Sequence, residues 1–165
     1  MLLFLDCEWA DVLEAELVSL ALVGEDESRV FYAEREVLPM PAPPFVQKVV
    51  YPLLDRGTAA MSNLAFTEAL REFFDGTPDP LVIADYSLDF ELLRWALSGT
   101  GVPVQERNSS TESPKYKELL ASSPALLASI EAKFSAVPSL AARRHHALVD
   151  AQVLRQAWLS LERGG

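Results

Sequence analysis

The short run PLVIA, residues 80–84, constrains the fold more than any other stretch of the chain. A fully apolar run of this length suits a strand buried on both faces, as in the middle of a parallel sheet. A helical pattern follows at once, from about Ser87 to Leu97. A buried strand feeding directly into a helix is the mark of an α/β fold. Earlier in the chain, residues 2–7, 16–23 and 28–33 read as three more strands. The polar turn GEDES separates the last two and predicts that they pair antiparallel.

The intervening segments complete the expected layout. The Pro-rich LPMPAPP reads as extended backbone. FVQKVVYPLL carries Phe45, Val49 and Val50 at helical spacing, with Pro52 limiting it to a short helix. NLAFTEALREFFDG is an amphipathic helix with Phe66, Leu70, Phe73 and Phe74 on one stripe and Gly76 at its C-terminal end. VPVQ, 102–105, reads as a final strand. Beyond it the pattern is helical over roughly 115–135, with a break near Ser123 and Pro124, and again in a long helix to about Leu161. The expected architecture is therefore a single domain over 1–165, with a mixed sheet of about five strands and helices on both faces. A chain of 165 residues is long enough to bury a full core.

No apolar stretch approaches the roughly 20 residues of a membrane span, and MLLFL lacks the basic flank and cleavage site of a secretory leader. The single Cys7 forms no internal disulfide, which fits a reducing, cytoplasmic setting. The net charge of −10 disfavours polyanions, but it is unevenly spread. Residues 1–112 carry 20 acidic and 7 basic side chains, whereas residues 113–165 carry 4 acidic and 7 basic. This reads either as a solvated acidic surface or as an acidic, metal-binding part facing a mildly basic one.

Several acids stand where a structural role explains them poorly. Asp6 and Glu8 end the first strand and, by strand alternation, point the same way, where like charges repel. Asp89 falls in the first turn of the helix after PLVIA, where the helix dipole alone would favour it. Asp150 shares a helical face with Leu154, Ala157 and Leu161, and an unpaired carboxylate there is costly unless a cation or several donors meet it. His145 and His146, the chain's two histidines, lie within five residues of Asp150. In a mixed sheet these segments can converge. Four carboxylates without thiolates suit hard, oxygen-loving cations such as Mg²⁺ or Mn²⁺. They can hold two such ions roughly 4 Å apart, the arrangement used in phosphodiester hydrolysis.

LDCEW, YSLDFELL and HHALVDA, in this order, resemble the three motifs of the DEDDh 3′–5′ exonucleases of the ribonuclease H-like superfamily, which includes ribonuclease T, oligoribonuclease and proofreading subunits. ELVSLALVGEDESRVFYAE and FVQKVVYPLL resemble, more narrowly, a small group of bacterial 3′–5′ exoribonucleases. The resemblance implies a ribonuclease H-like three-layer fold. It also implies two Mg²⁺ or Mn²⁺ ions held by Asp6, Glu8, Asp89 and Asp150, with His145 as general base. The implied activity is release of nucleoside 5′-monophosphates from the 3′ end of single-stranded nucleic acid, RNA before DNA. Trp9, Cys7 and Arg144 are the expected substrate contacts, although Trp9 also reads as a core residue, and Cys7 stands where many members carry Thr. Asp85 stands where the middle motif usually has Asn and adds a fifth acid. Several relatives are dimers, so a homodimer is a further expectation. The rival readings are a DNA-directed exonuclease and a non-catalytic binding domain of the same fold. A D-x-D phosphatase is disfavoured because the second acid is Glu8.

The two histidines divide on helix geometry. His146, four residues before Asp150, would share its face on a continuous helix, while His145 would lie about 140° away. The motif selects His145, which requires the helix to begin near Ala147 and His145 to sit on the preceding loop.

Overall fold

The computed structural model describes residues 1–10, 16–106 and 113–162. Strand β1 (Leu2–Trp9) lies inside a six-stranded mixed sheet. It pairs antiparallel with β2 (Leu17–Gly24), which pairs antiparallel with β3 (Val30–Arg35). The two-residue β4 (Ala60–Met61) adds parallel to β3 at that edge. On the other side of β1, β5 (Leu81–Ala84) and then β6 (Lys117–Leu120) run parallel to it. PLVIA thus supplies a parallel strand one place in from the edge.

Alternation along β1 divides the core between two faces. Leu3, Leu5 and Cys7 pack with Phe66, Leu70 and Phe74 of α1 (Asn63–Asp75), and with Phe90, Leu93 and Leu97 of α2 (Ser87–Ser98). Phe4 packs on the opposite face with Leu126, Ile130 and Phe134 of α3 (Pro124–Ala136). The same cluster takes Val149, Val153, Leu154 and Ala157 of α5 (Ala147–Glu162), with the four-residue α4 (Pro138–Ala141) joining the two helices. Ala147 and Ala151 meet Ala21 and Val23 of β2, and these small side chains bring α5 close to the sheet. Fully burying the larger of these side chains contributes about 1.5–3 kcal/mol each.

Three expectations need correction. The sheet has six strands rather than about five. VPVQ is not the last strand: Pro103 lacks the N–H a ladder needs, and Val104–Glu106 forms a 3₁₀ turn. The last strand is Lys117–Leu120, inside a segment whose Lys, Glu and Leu favour helix, because pairing with β5 overrides that weak preference. The helix of this region begins only at Pro124, with Ser123 capping it by accepting the Leu126 N–H at 3.3 Å. Gly76 closes α1 where expected, with φ −81°. Its lack of a side chain serves Arg29, whose guanidinium would lie 2.9 Å from any Cβ there. FVQKVVYPLL does wind, as a π turn over Val46–Val50 and a 3₁₀ turn over Tyr51–Leu53. No helix among the described residues is long and apolar enough to cross a membrane.

Candidate metal centre

The strand pairing brings the first two acids of the site together. The last paired rung between β1 and β5 is Phe4↔Ile83, and two residues further along each strand stand Asp6 and Asp85. Four residues on, Asp89 enters from the first turn of α2, almost wholly buried at 1% exposure. Oxygens of Asp6, Asp85 and Asp89 lie within 4.8 Å of one another. Glu8, one pleat beyond Asp6, forms a second group with Asp150 of α5 and His145, again within 4.8 Å. All four acids of the sequence motifs and His145 therefore fall into these two groups, and Asp85 joins them.

Helix α5 begins at Ala147, so His145 is on the preceding loop, as its motif role requires. It adopts φ +73°, a conformation rare for a residue with a side chain. Its backbone N–H donates to Asp150 Oδ2 at 3.1 Å, so the carboxylate one turn into the helix fixes the loop before it. The ring is half-buried, with the edge of Phe45 against it at a centroid distance of 5.0 Å. His146 points elsewhere. It is buried, stacked on Tyr32 at 4.7 Å, with Nε2 3.5 Å from Asp55 Oδ2.

The acids lie close together with few donors to offset them. Asp6 Oδ2, Asp89 Oδ1 and Asp150 Oδ1 are buried with no hydrogen-bond partner. Burial first, and then the neighbouring carboxylates Asp89, Asp150, Glu8 and Asp85, hold the Asp6 carboxyl well above its usual range. Burial and then Asp150 push Glu8 up to about 8. Burial raises Asp150 to about 7, against the opposing pull of the His145 N–H and of Arg144. Asp89 is raised by burial and by Asp85 and Glu8, and Asp85 chiefly by burial. His145 is lowered, by burial and by the Arg144 charge, which favours the neutral ring. Orphaned, mutually repelling carboxylate oxygens are a donor set that fits hard divalent ions.

Beside the acids runs an apolar groove of about 320 Å³, walled by Trp9, Ala10, Pro43, Phe45, Val46 and Val50, with Glu8 and His145 at its polar end. Trp9 packs against the core under α1 and α2, as one of its two readings expects, stacks on Tyr86 at 5.7 Å and also lines the groove. Cys7 does not face the groove. It is buried on the opposite face of β1, and its thiol meets the Asp89 carbonyl at 3.8 Å, so its expected side-chain contact with substrate is corrected to a contact that steadies α2. Arg144 is held by both carboxylate oxygens of Glu131, with its guanidinium 4.9 Å from the centre of the Phe134 ring. The groove wall from 43 to 50 was not legible as a site. Phe45 reads only as part of a short helix by spacing, yet it is half exposed beside the π turn that follows it.

No protein-family model matches this chain, and no curated protein matches it.

Proposed function

We propose that this protein is a metal-dependent 3′–5′ exonuclease of ribonuclease H-like fold that removes nucleoside 5′-monophosphates from single-stranded RNA. The observation that carries the reading is the convergence of residues 6, 89 and 150. Each has a buried carboxylate oxygen lacking any donor, and these acids gather beside a loop-borne histidine. The antiparallel run β1–β3, continued past β1 by parallel strands and covered by helices on both faces, supports the fold assignment. The neighbouring apolar groove supports a substrate with a flat, unpaired base.

Asp6, Glu8, Asp89 and Asp150 would hold two divalent ions, Mg²⁺ or Mn²⁺. When bound, these ions supply the positive charge that acidifies the attacking water and offsets the charge on the leaving oxygen. His145, neutral at physiological pH, takes the proton from that water. The water oxygen then bonds to the terminal phosphorus and the bond from phosphorus to the 3′ oxygen breaks; the nucleoside 5′-monophosphate departs, and the 3′ oxygen of the shortened strand takes a proton from solvent to become a hydroxyl. Trp9 and Phe45 bracket space for the terminal base, and the apolar walls around it exclude water.

The test is a digestion ladder on matched single- and double-stranded RNA and DNA oligomers with Mg²⁺ or Mn²⁺. The expected result is stepwise loss from the 3′ end of single-stranded RNA, stopped by a 3′ phosphate and abolished by Asp6→Asn or Asp150→Asn in folded protein. Full digestion in excess chelator, or by either variant, overturns the reading.

A further inference from the structure

We propose that Asp85 is itself a metal ligand, so that Asp6, Asp85 and Asp89 form an all-carboxylate site binding one divalent cation more tightly than the Glu8 and Asp150 side binds the other. This rests on the two-ion reading of the site and goes beyond its four motif acids. The three oxygens lie within 4.8 Å of one another, a span that one ion with oxygen ligands at about 2.0–2.6 Å can bridge. Two of the residues bring orphaned oxygens: Asp89, 1% exposed, has Oδ1 buried without a partner, and Asp6 Oδ2 is in the same condition.

The companion group is built differently. Glu8 and Asp150 contribute two carboxylates there, with an imidazole as the third member, and Asp150 Oδ2 already accepts the His145 N–H. One side of the centre therefore carries three acidic side chains and the other two. Affinity for hard cations rises with the number of charged ligands, so the Asp85 side is the one that fills first. The placement of Asp85 also has a backbone cause. It follows β5 directly, two residues past the last rung Phe4↔Ile83, and Asp6 stands two residues past the same rung on β1. Asn at this place, as in the motif the segment resembles, would keep the shape and remove the charge.

The experiment counts Mn²⁺ bound to the full chain by calorimetry and by the paramagnetic resonance signal of free Mn²⁺. The unaltered protein is expected to bind two ions of unequal affinity. Asp85→Asn should weaken the tighter ion by roughly tenfold or more and the looser one much less. Asp150→Asn should do the reverse, and Asp85→Ala, with circular dichroism to check folding, should repeat the Asp85→Asn result. Affinities in both Asp85 variants within about twofold of the original would overturn the assignment, as would a protein that binds no Mn²⁺. If the Asp85 variants behave as expected while the unaltered protein, with both ions bound, leaves RNA and DNA intact, the nuclease reading fails and the Asp85 assignment stands.

Discussion

Two adjacent histidines have opposite surroundings, and substitution should separate them. His145 lies on a loop beside Glu8 and Asp150. His145→Ala should lower kcat by roughly 10²–10⁴-fold, the usual cost of a lost general base, with Mn²⁺ affinity largely retained. His146 is a core side chain stacked on Tyr32. Its replacement by alanine should act on stability, by roughly 2–4 kcal/mol as for other large-to-small core changes, and show in the melting temperature. A kcat loss confined to His146→Ala would reverse the assignment. The acids predict a pH effect of a particular sign. Glu8 at about 8 and Asp150 at about 7 in the folded, metal-free protein lie above their ordinary values. The folded chain then binds protons more tightly than the unfolded one, so the stabilisation they give is full below about pH 4, declines steadily as pH rises and is gone above about pH 8. The melting temperature of chelator-treated protein should therefore fall between pH 5 and 9. Mn²⁺ should raise it most at the alkaline end, where the ligands are already deprotonated.

Among the elements, α2 matters most because its first turn carries Asp89 and its last is closed by Gly99 in the left-handed region at φ +67°. A Cβ there would meet only ordinary contacts, with Thr67 Cγ2 at 3.5 Å and Val102 Cγ2 at 3.6 Å, so the conformation rather than crowding sets the cost. Gly99→Ala should destabilise the protein by about 1–2 kcal/mol in urea titrations, with the Mn²⁺ sites intact in the folded fraction. The elements also show how much the chain's pattern discloses. β1, β2, β3, β5, α1, α2 and α5 were legible, because each pairs an apolar run or stripe with a clear stop. β6 was not, since both Lys117 and Glu118 are exposed and Leu119 and Leu120 are largely so, leaving an edge strand with no alternation to read. The four motif acids were singled out by their places in the pattern, whereas His145 rested on the family resemblance, since helix spacing alone favoured His146. That Asp85 shares a group with Asp6 was not, because it depends on which residue of β5 stands beside which residue of β1.

For the whole molecule, charge is the strongest constraint on what can approach the groove. Three cations of the mildly basic part of the chain, the expected substrate contact Arg144 among them, are already engaged: Arg143 with Asp55, Arg144 with Glu131 and Lys117 with Asp79. With so few charges to give to phosphates, substrate affinity should depend weakly on salt. We expect a log–log slope no steeper than about −1.5, which corresponds to roughly two phosphate contacts on a single strand. A slope near −4, measured by fluorescence anisotropy with a 3′-blocked RNA, would show a larger basic track than these pairings allow. Circular single strands should survive intact, since the reaction begins at a free end.

The distance along the chain between the acids has a consequence in time. Asp6 and Glu8 are synthesised well before His145 and Asp150, which reach Glu8 only once α5 has docked. At roughly 5–20 residues per second, about 7–30 seconds separate their emergence. Throughout that interval a growing chain already carries one part of the acidic cluster without the part that completes it. The nuclease activity we propose would therefore stay silent while the chain is still tethered to the messenger that encodes it.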